Sequence, residues 1–245
     1  GSNNLAYNNE ITRTGKGGII ISGGDTETLT PGNSKADNNY IHDWSEIYQT
    51  YQPAVTLEGV GNICSHNEME NSPHEAITYK GNNHIIEYNL IHDVCLLSDD
   101  AGAIYSGRSW VWYGNVVRYN CIYNVGSENH RPDGIYLDDA VSGHQIYGNL
   151  LINIPSNSIH VGGGRDNVIT NNIIVNPGNN ALRFDDRARE GALENGWFTH
   201  AYVGSGDMWE ALYNSLWQSE TWQNALPEYK NCTDDISESD SPAYI

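Results

Sequence analysis

The chain has 245 residues, with 31 acidic against 12 basic side chains, a formal charge of −19 and only 38% apolar residues. Such a surface repels nucleic acid and anionic membranes, and no Lys/Arg block offers a local exception. No apolar run approaches the ~20 residues of a membrane-spanning helix.

The chain opens on Gly1-Ser2, which reads as a cloning remnant, so the native N-terminus is expected to be missing. The elements that follow repeat. Seven asparagines, Asn9, Asn39, Asn67, Asn89, Asn120, Asn149 and Asn172, lead short apolar segments such as Asn89-Leu-Ile-His and Asn172-Ile-Ile-Val. Their intervals are 30, 28, 22, 31, 29 and 23 residues. The shortest is one bare coil, and the excess is loop. Another apolar pair precedes most of these asparagines (Ile63-Cys64, Ile85-Ile86, Val116-Val117, Val168-Ile169).

A further strand lies about halfway round each coil, in segments beginning at Gly18, Ala54, Ala76, Ala103, Gly134, Ser158 and Ala181. These segments alternate with period two and are too short for helices. Their Asn and Gly borders supply left-handed corners. An Asn at such a corner bonds the backbone and its own copy one coil away, about 4.8 Å distant, which satisfies its amide.

The pattern predicts an all-β protein: a right-handed parallel β-helix of about seven coils with a C-terminal helical appendage. The hand follows from the default for parallel crossovers. The expected division is 1–186 for the β-helix and 187–231 for a helical appendage packed on the solenoid. An acidic tail, 232–245, reads as a truncated continuation. Within the appendage, Trp209, Leu212, Leu216 and Trp217 fall at helical spacing. Cys64, Cys95, Cys121 and Cys232 match no zinc signature and read as free thiols, with Cys64 and Cys121 at buried repeat positions.

The halfway strands stack into one sheet, whose outward column is Ile20, Thr56, Thr78, Tyr105, Tyr136, His160 and Arg183. Carboxylates flank it: Glu58, Asp138, Asp139, Asp185 and Asp186 on the trailing edge, Glu75, Asp99, Asp100 and Asp133 on the leading edge. A groove edged by carboxyls and floored by Tyr and His suits glycoside hydrolysis, in which one carboxyl protonates the leaving oxygen and another attacks or activates water. The 16 Tyr and 7 Trp suit the same task, since rings stack on sugar C–H faces, although Tyr also simply favours strands. Arg108, Arg165, Arg183 and Arg187 close the strand ends, where they clamp sugar hydroxyls or pair with edge aspartates.

The segments Leu29-Thr-Pro-Gly32, Ser98-Asp-Asp-Ala-Gly-Ala-Ile-Tyr-Ser-Gly-Arg108, Gly134-Ile-Tyr-Leu-Asp-Asp139 and Val161-Gly-Gly-Gly-Arg-Asp-Asn167, with the Leu226-Pro-Glu-Tyr229 ending, resemble bacterial parallel β-helix proteins of polysaccharide degradation, the pectate-lyase-like superfold. Among characterised groups the chain is similar to glycoside hydrolase family 141, which includes fucosidase and xylanase activities. That resemblance implies catalysis by two aspartates, here Asp100 with Asp138 or Asp139. Tyr105, Arg108, Tyr136, His160, Arg165, Asp185 and Arg187 are the expected substrate-binding residues. Asp100 precedes its strand and Asp138 follows its own, about 23 Å of extended chain, so Ala101-Gly102 must fold Asp100 back over the groove. Otherwise Asp100 pairs with Asp133.

The expected activity is hydrolysis of a polysaccharide or oligosaccharide, without a metal or other cofactor. A polysaccharide lyase acting on a uronate is the alternative, and Ca²⁺ enters only under it. A non-catalytic carbohydrate-binding solenoid is the third option. A secreted or periplasmic location is expected, with no nucleic-acid or membrane partner. An open solenoid exposes apolar side chains and unpaired backbone, so end-to-end self-association of a fragment is expected unless the Trp-rich segment covers one end.

Overall fold

A computed structural model describes residues 1–187 and 216–231. Three parallel sheets of seven strands each wind through seven coils. The first sheet begins with Leu5–Tyr7 and ends with Val168–Thr170; the second runs from Glu10–Thr12 to Ile173–Val175. The third holds Ile19–Gly23, Val55–Val60, Ile77–Asn82, Gly102–Gly107, Asp133–Asp138, Ile159–Gly162 and Leu182–Asp185. The chain is therefore a parallel β-helix.

Strands in the first two sheets are three residues long, and only the middle residue points inward. Ala36, Cys64, Ile86, Val117 and Ile146 fill the interior from the first sheet, and Ile41, Met69, Ile91, Ile122 and Leu151 from the second, all fully buried. The third sheet adds two inward residues per strand, such as Val55 with Leu57 and Ile135 with Leu137. Cys64 and Cys95 are buried free thiols, whereas Cys121 faces outward on the second sheet and is half-buried. Cys232 lies outside the described residues.

The first and second sheets meet at the asparagine corner. The residue before each ladder Asn holds the left-handed turn: Asn8, Asn38, His66, Tyr88, Tyr119, Gly148 and Asn171 have φ between 54° and 68°. The ladder asparagines themselves bond upward and downward. Asn89 N–H and Nδ2 both donate to Asn120 Oδ1 (3.0 and 2.9 Å), and Asn120 repeats this with Asn149 Oδ1. The run from Asn9 to Asn172 is continuous.

A second ladder, which the sequence reading missed, sits five residues upstream of the first. Ser34 N–H donates to Asn62 Oδ1, Asn62 N–H to His84 Nδ1, His84 N–H to Asn115 Oδ1, and His144 N–H to Asn167 Oδ1. Its intervals match those of the first ladder, but its mixed Ser, Asn and His hid it.

The described appendage residues contain a helix, Glu220–Ala225, capped by Ser219, and a 3-10 turn, Pro227–Asn231. Trp222 Nε1 donates to Thr26 O at 3.0 Å, and Tyr229 packs on Tyr113 with ring centres 4.6 Å apart, so the segment docks on loops that leave the third sheet. Leu216 and Trp217 lie in the turn before this helix, and Trp209 and Leu212 lie outside the described residues. In the last coil Leu182 and Phe184 stand in register with inward Ile159 and Val161, yet are 43% and 60% exposed. Among the described residues no helix is long and apolar enough to cross a membrane.

Candidate active site

The expected outward column forms in register: Ile20 pairs with Thr56, Thr56 with Thr78, Thr78 with Tyr105, Tyr105 with Tyr136, Tyr136 with His160, and His160 with Arg183. Its first half, Ile20, Thr56, Thr78 and Tyr105, floors a groove of about 740 Å³. The loop before Val55–Val60 contributes Tyr51 and Pro53 to one wall, and the loop after Gly102–Gly107 contributes Arg108, Val111 and Trp112 to the other. Short Thr side chains keep the floor low, and Tyr105 rises as a step at its end. Three carboxylates, Glu58, Glu75 and Asp100, and three cations, Lys16, Lys80 and Arg108, line the cavity.

Behind the Tyr105 step lies a carboxyl pair. Asp138 ends its strand level with Gly107, and Asp139 follows with φ +39°. This left-handed turn brings the two carboxyls into hydrogen-bond contact. Tyr105 donates its hydroxyl to Asp138 Oδ2 at 2.9 Å, Arg187 Nη1 donates to Asp138 Oδ1 at 3.0 Å, and Arg108 Nε to Asp139 Oδ2 at 3.3 Å. Burial, and then the neighbouring Asp138 charge, push the Asp139 carboxyl up to about 6, against the pull of Arg108 and Arg187. A carboxyl that keeps its proton near pH 6 is a candidate general acid.

A second cluster continues from Arg187. Its guanidinium holds Asp185 through Nε and Nη2, both at 2.8 Å, and Tyr136 Oη through Nη1 at 2.9 Å. The His160 ring stacks on Tyr136 at 4.7 Å and lies between Asp133 (2.7 Å from Nδ1) and Asp185 (3.1 Å from Nε2). Burial opposes charge on His160, but the two carboxylates outweigh it and hold its pKa above the ordinary value. Asp185 is likewise desolvated, yet His160 and Arg187 hold it well below the usual carboxylate range. Asp133 also accepts from Asn157 N and Nδ2, at 2.8 and 3.0 Å. It is therefore a saturated, buried orienting group, engaged with Asn157 and His160.

Of the expected site residues, Asp138, Asp139, Tyr105, Arg108, Tyr136, His160, Asp185 and Arg187 converge in one network. Among the described residues Arg165 bonds Asp166 Oδ2 and, through its N–H, Ser142 Oγ. Asp100 lines the groove from the opposite strand end. Gly102 pairs with Asp133 and Gly107 with Asp138, so the strand between the Asp100 bend and the level of Asp138 spans about 17 Å. Tyr51 bridges that span electrostatically. Burial first, then the charges of Asp100 and Glu75, with a smaller push from Asp138, raise its phenol above the ordinary value.

Glu75 and Tyr51 also line the groove, although neither is among the expected site residues. Glu75, almost fully buried, accepts from Thr78 Oγ1 at 2.7 Å; its place just before a third-sheet strand was visible in the sequence. Tyr51 stacks obliquely on His74 at 4.9 Å, and no repeat position could have flagged it, because it lies in a loop. No family model, curated protein or solved structure matches this chain.

Proposed function

We propose that the chain is a polysaccharide-active glycoside hydrolase that works in the third-sheet groove, in the manner of the β-helix hydrolases it resembles. The observation that carries this reading is the carboxyl pair Asp138–Asp139 at the end of a long groove with Tyr and Trp in its walls and floor. The open groove suits an extended chain. Tyr51, Tyr105 and Trp112 offer ring faces and polar tips to sugar rings. Asp139 holds the proton for the leaving oxygen, and Asp138, fixed by Tyr105 and Arg187, keeps that proton high. Asp100 and Glu75 lie toward the other end of the third-sheet strands, farther from Asp139 than the roughly 5–9.5 Å of a paired set, and serve to bind the sugar chain. A uronate lyase is the second reading, favoured by one observation: Lys16, Lys80 and Arg108 gather in this groove although the chain is strongly acidic, and they could neutralise a uronate.

The test is a glycan panel with two readouts, reducing ends and absorbance of a new unsaturated uronate. Reducing ends without absorbance support hydrolysis, and both together support the lyase. On a confirmed substrate, Asp139→Asn and Asp138→Asn should each lower kcat by at least about 100-fold, the usual scale for removing a positioned acid–base group. Wild-type rates in both variants would remove the pair from catalysis. Glycan affinity without either product would leave a binding solenoid.

A further inference from the structure

The outer face of the second sheet carries a column that the groove does not use. At one strand position Thr12, His42, Glu70, His92 and Tyr123 stand in register on successive coils. Asp93 follows His92 at a left-handed corner, φ +50°, which turns its carboxylate back onto the ring. His92 Nδ1 lies 2.7 Å from Asp93 Oδ2 and 3.5 Å from Glu70 Oε2. One ligand atom from each of the three residues lies within 4.8 Å of the others.

We propose that Glu70, His92 and Asp93 bind one divalent transition-metal ion of the zinc type, tying two adjacent coils together. An imidazole with two carboxylates is a zinc-type donor set. Donors at ~2.0–2.2 Å from a tetrahedral ion stand about 3.4 Å apart. The Glu70–His92 pair is already at that spacing, and a small rotation of half-exposed Asp93 opens the other. A supporting layer surrounds the donors. Glu68 Oε1 stands 3.7 Å from His92 Nε2, where a carboxylate would orient a metal-bound imidazole. Tyr40 donates to the other oxygen of Glu70, and Tyr123 stacks on the His92 ring at 4.7 Å and 9°. Calcium would seek six or more oxygens, which this set does not offer.

The same column contains its own control. His42 also has a following aspartate, Asp43, at 2.6 Å from Nδ1, but its other carboxylate, Glu10, meets Nε2 at 3.4 Å. Carboxylates on opposite ring nitrogens do not converge on one ion.

The experiment strips the purified chain with a chelator, then titrates Zn²⁺ by calorimetry and Co²⁺ by visible absorption, with circular dichroism to verify each fold. The expected result is one ion per chain. Affinity should fall by about 30-fold or more in His92→Ala and Glu70→Gln, within the range for lost ligand-shell groups, and stay within about threefold in His42→Ala. Asp93→Asn, at a half-exposed corner where Asn keeps the turn, replaces His92→Ala if that variant does not fold. Absence of saturable binding in the wild type overturns the proposal. So does undiminished binding in the His92, Glu70 or Asp93 variants, an equal loss in His42→Ala, or displacement of Zn²⁺ by equimolar Ca²⁺.

Discussion

At the residue scale, the site is governed by what burial does to charge. The Asp139 carboxyl stands at about 6 in the folded chain, above its ordinary 3.8. Between those values the folded state holds a proton that the unfolded state releases. That term favours folding at low pH and is lost as pH rises through 6, where ionised Asp139 costs on the order of 3 kcal/mol. Asp139→Asn removes the ionisation while keeping the shape. Its melting temperature is therefore expected to equal or exceed that of the wild type at pH 7.5, with the difference shrinking as pH falls and vanishing below about pH 4. Thermal scans at both values check this. A variant less stable at pH 7.5 than at pH 5, relative to wild type, would show that the ionised carboxylate instead stabilises the fold through Arg108 and Arg187. The candidates themselves were legible, because residues flanking an alternating strand occupy its edges. That Asp138 and Asp139 touch was not, because it depends on one left-handed φ.

At the scale of the element, the asparagine ladder supplies what three-residue strands cannot. Asn120 Oδ1 accepts two bonds from Asn89, and its Nδ2 donates to Asn149 Oδ1 and to the Ile86 carbonyl. Asn120→Ala leaves a buried N–H and a buried carbonyl without partners, each costing about 1–3 kcal/mol, so a loss of about 2–5 kcal/mol is expected. Asn9→Ala, at the exposed first rung, removes a donor at the end of the ladder and should cost under about 1 kcal/mol. Urea midpoints of the two variants measure the contrast, and equal losses would refute the role of the ladder. The first ladder was readable because one residue type recurs before one apolar pattern. The second ladder shares its spacing, yet it uses any side chain that offers an acceptor at that corner, so residue identity did not reveal it.

For the whole molecule, the second ladder sets a response to acid. His84 accepts from Asn62 N–H and donates through Nε2 to the Lys80 carbonyl, and His144 contacts the Ser142 carbonyl through Nδ1. Burial lowers both rings from 6.5 to about 4. The unfolded chain protonates them first, so folding stability falls as pH drops from about 6.5 to about 4 and then levels, by about 3 kcal/mol per ring. His84→Asn copies the residue at neighbouring rungs 62 and 115 and keeps an acceptor for Asn62. Urea unfolding at pH 7 and pH 4.5 should show this variant losing less stability in acid than the wild type. An unchanged difference would remove His84 from the acid response.

The sequence by itself determined the coil. Its period, the inward alternation and the asparagine corner are local properties, each repeated seven times, and a repeated local rule leaves the stack one register. The outward column from Ile20 to Arg183 followed from that register. Tertiary structure alone decided what depends on loops of unequal length and on single turns. The Tyr51 and Trp112 walls of the groove belong to this class, as does the docking of Trp222 on the Thr26 loop. The left-handed φ at Asp139 makes two sequential carboxyls into a pair, and Asp100 stands at the far end of the strand from them. Loops answer to no period, so their side chains meet only where the stacked coils bring them together.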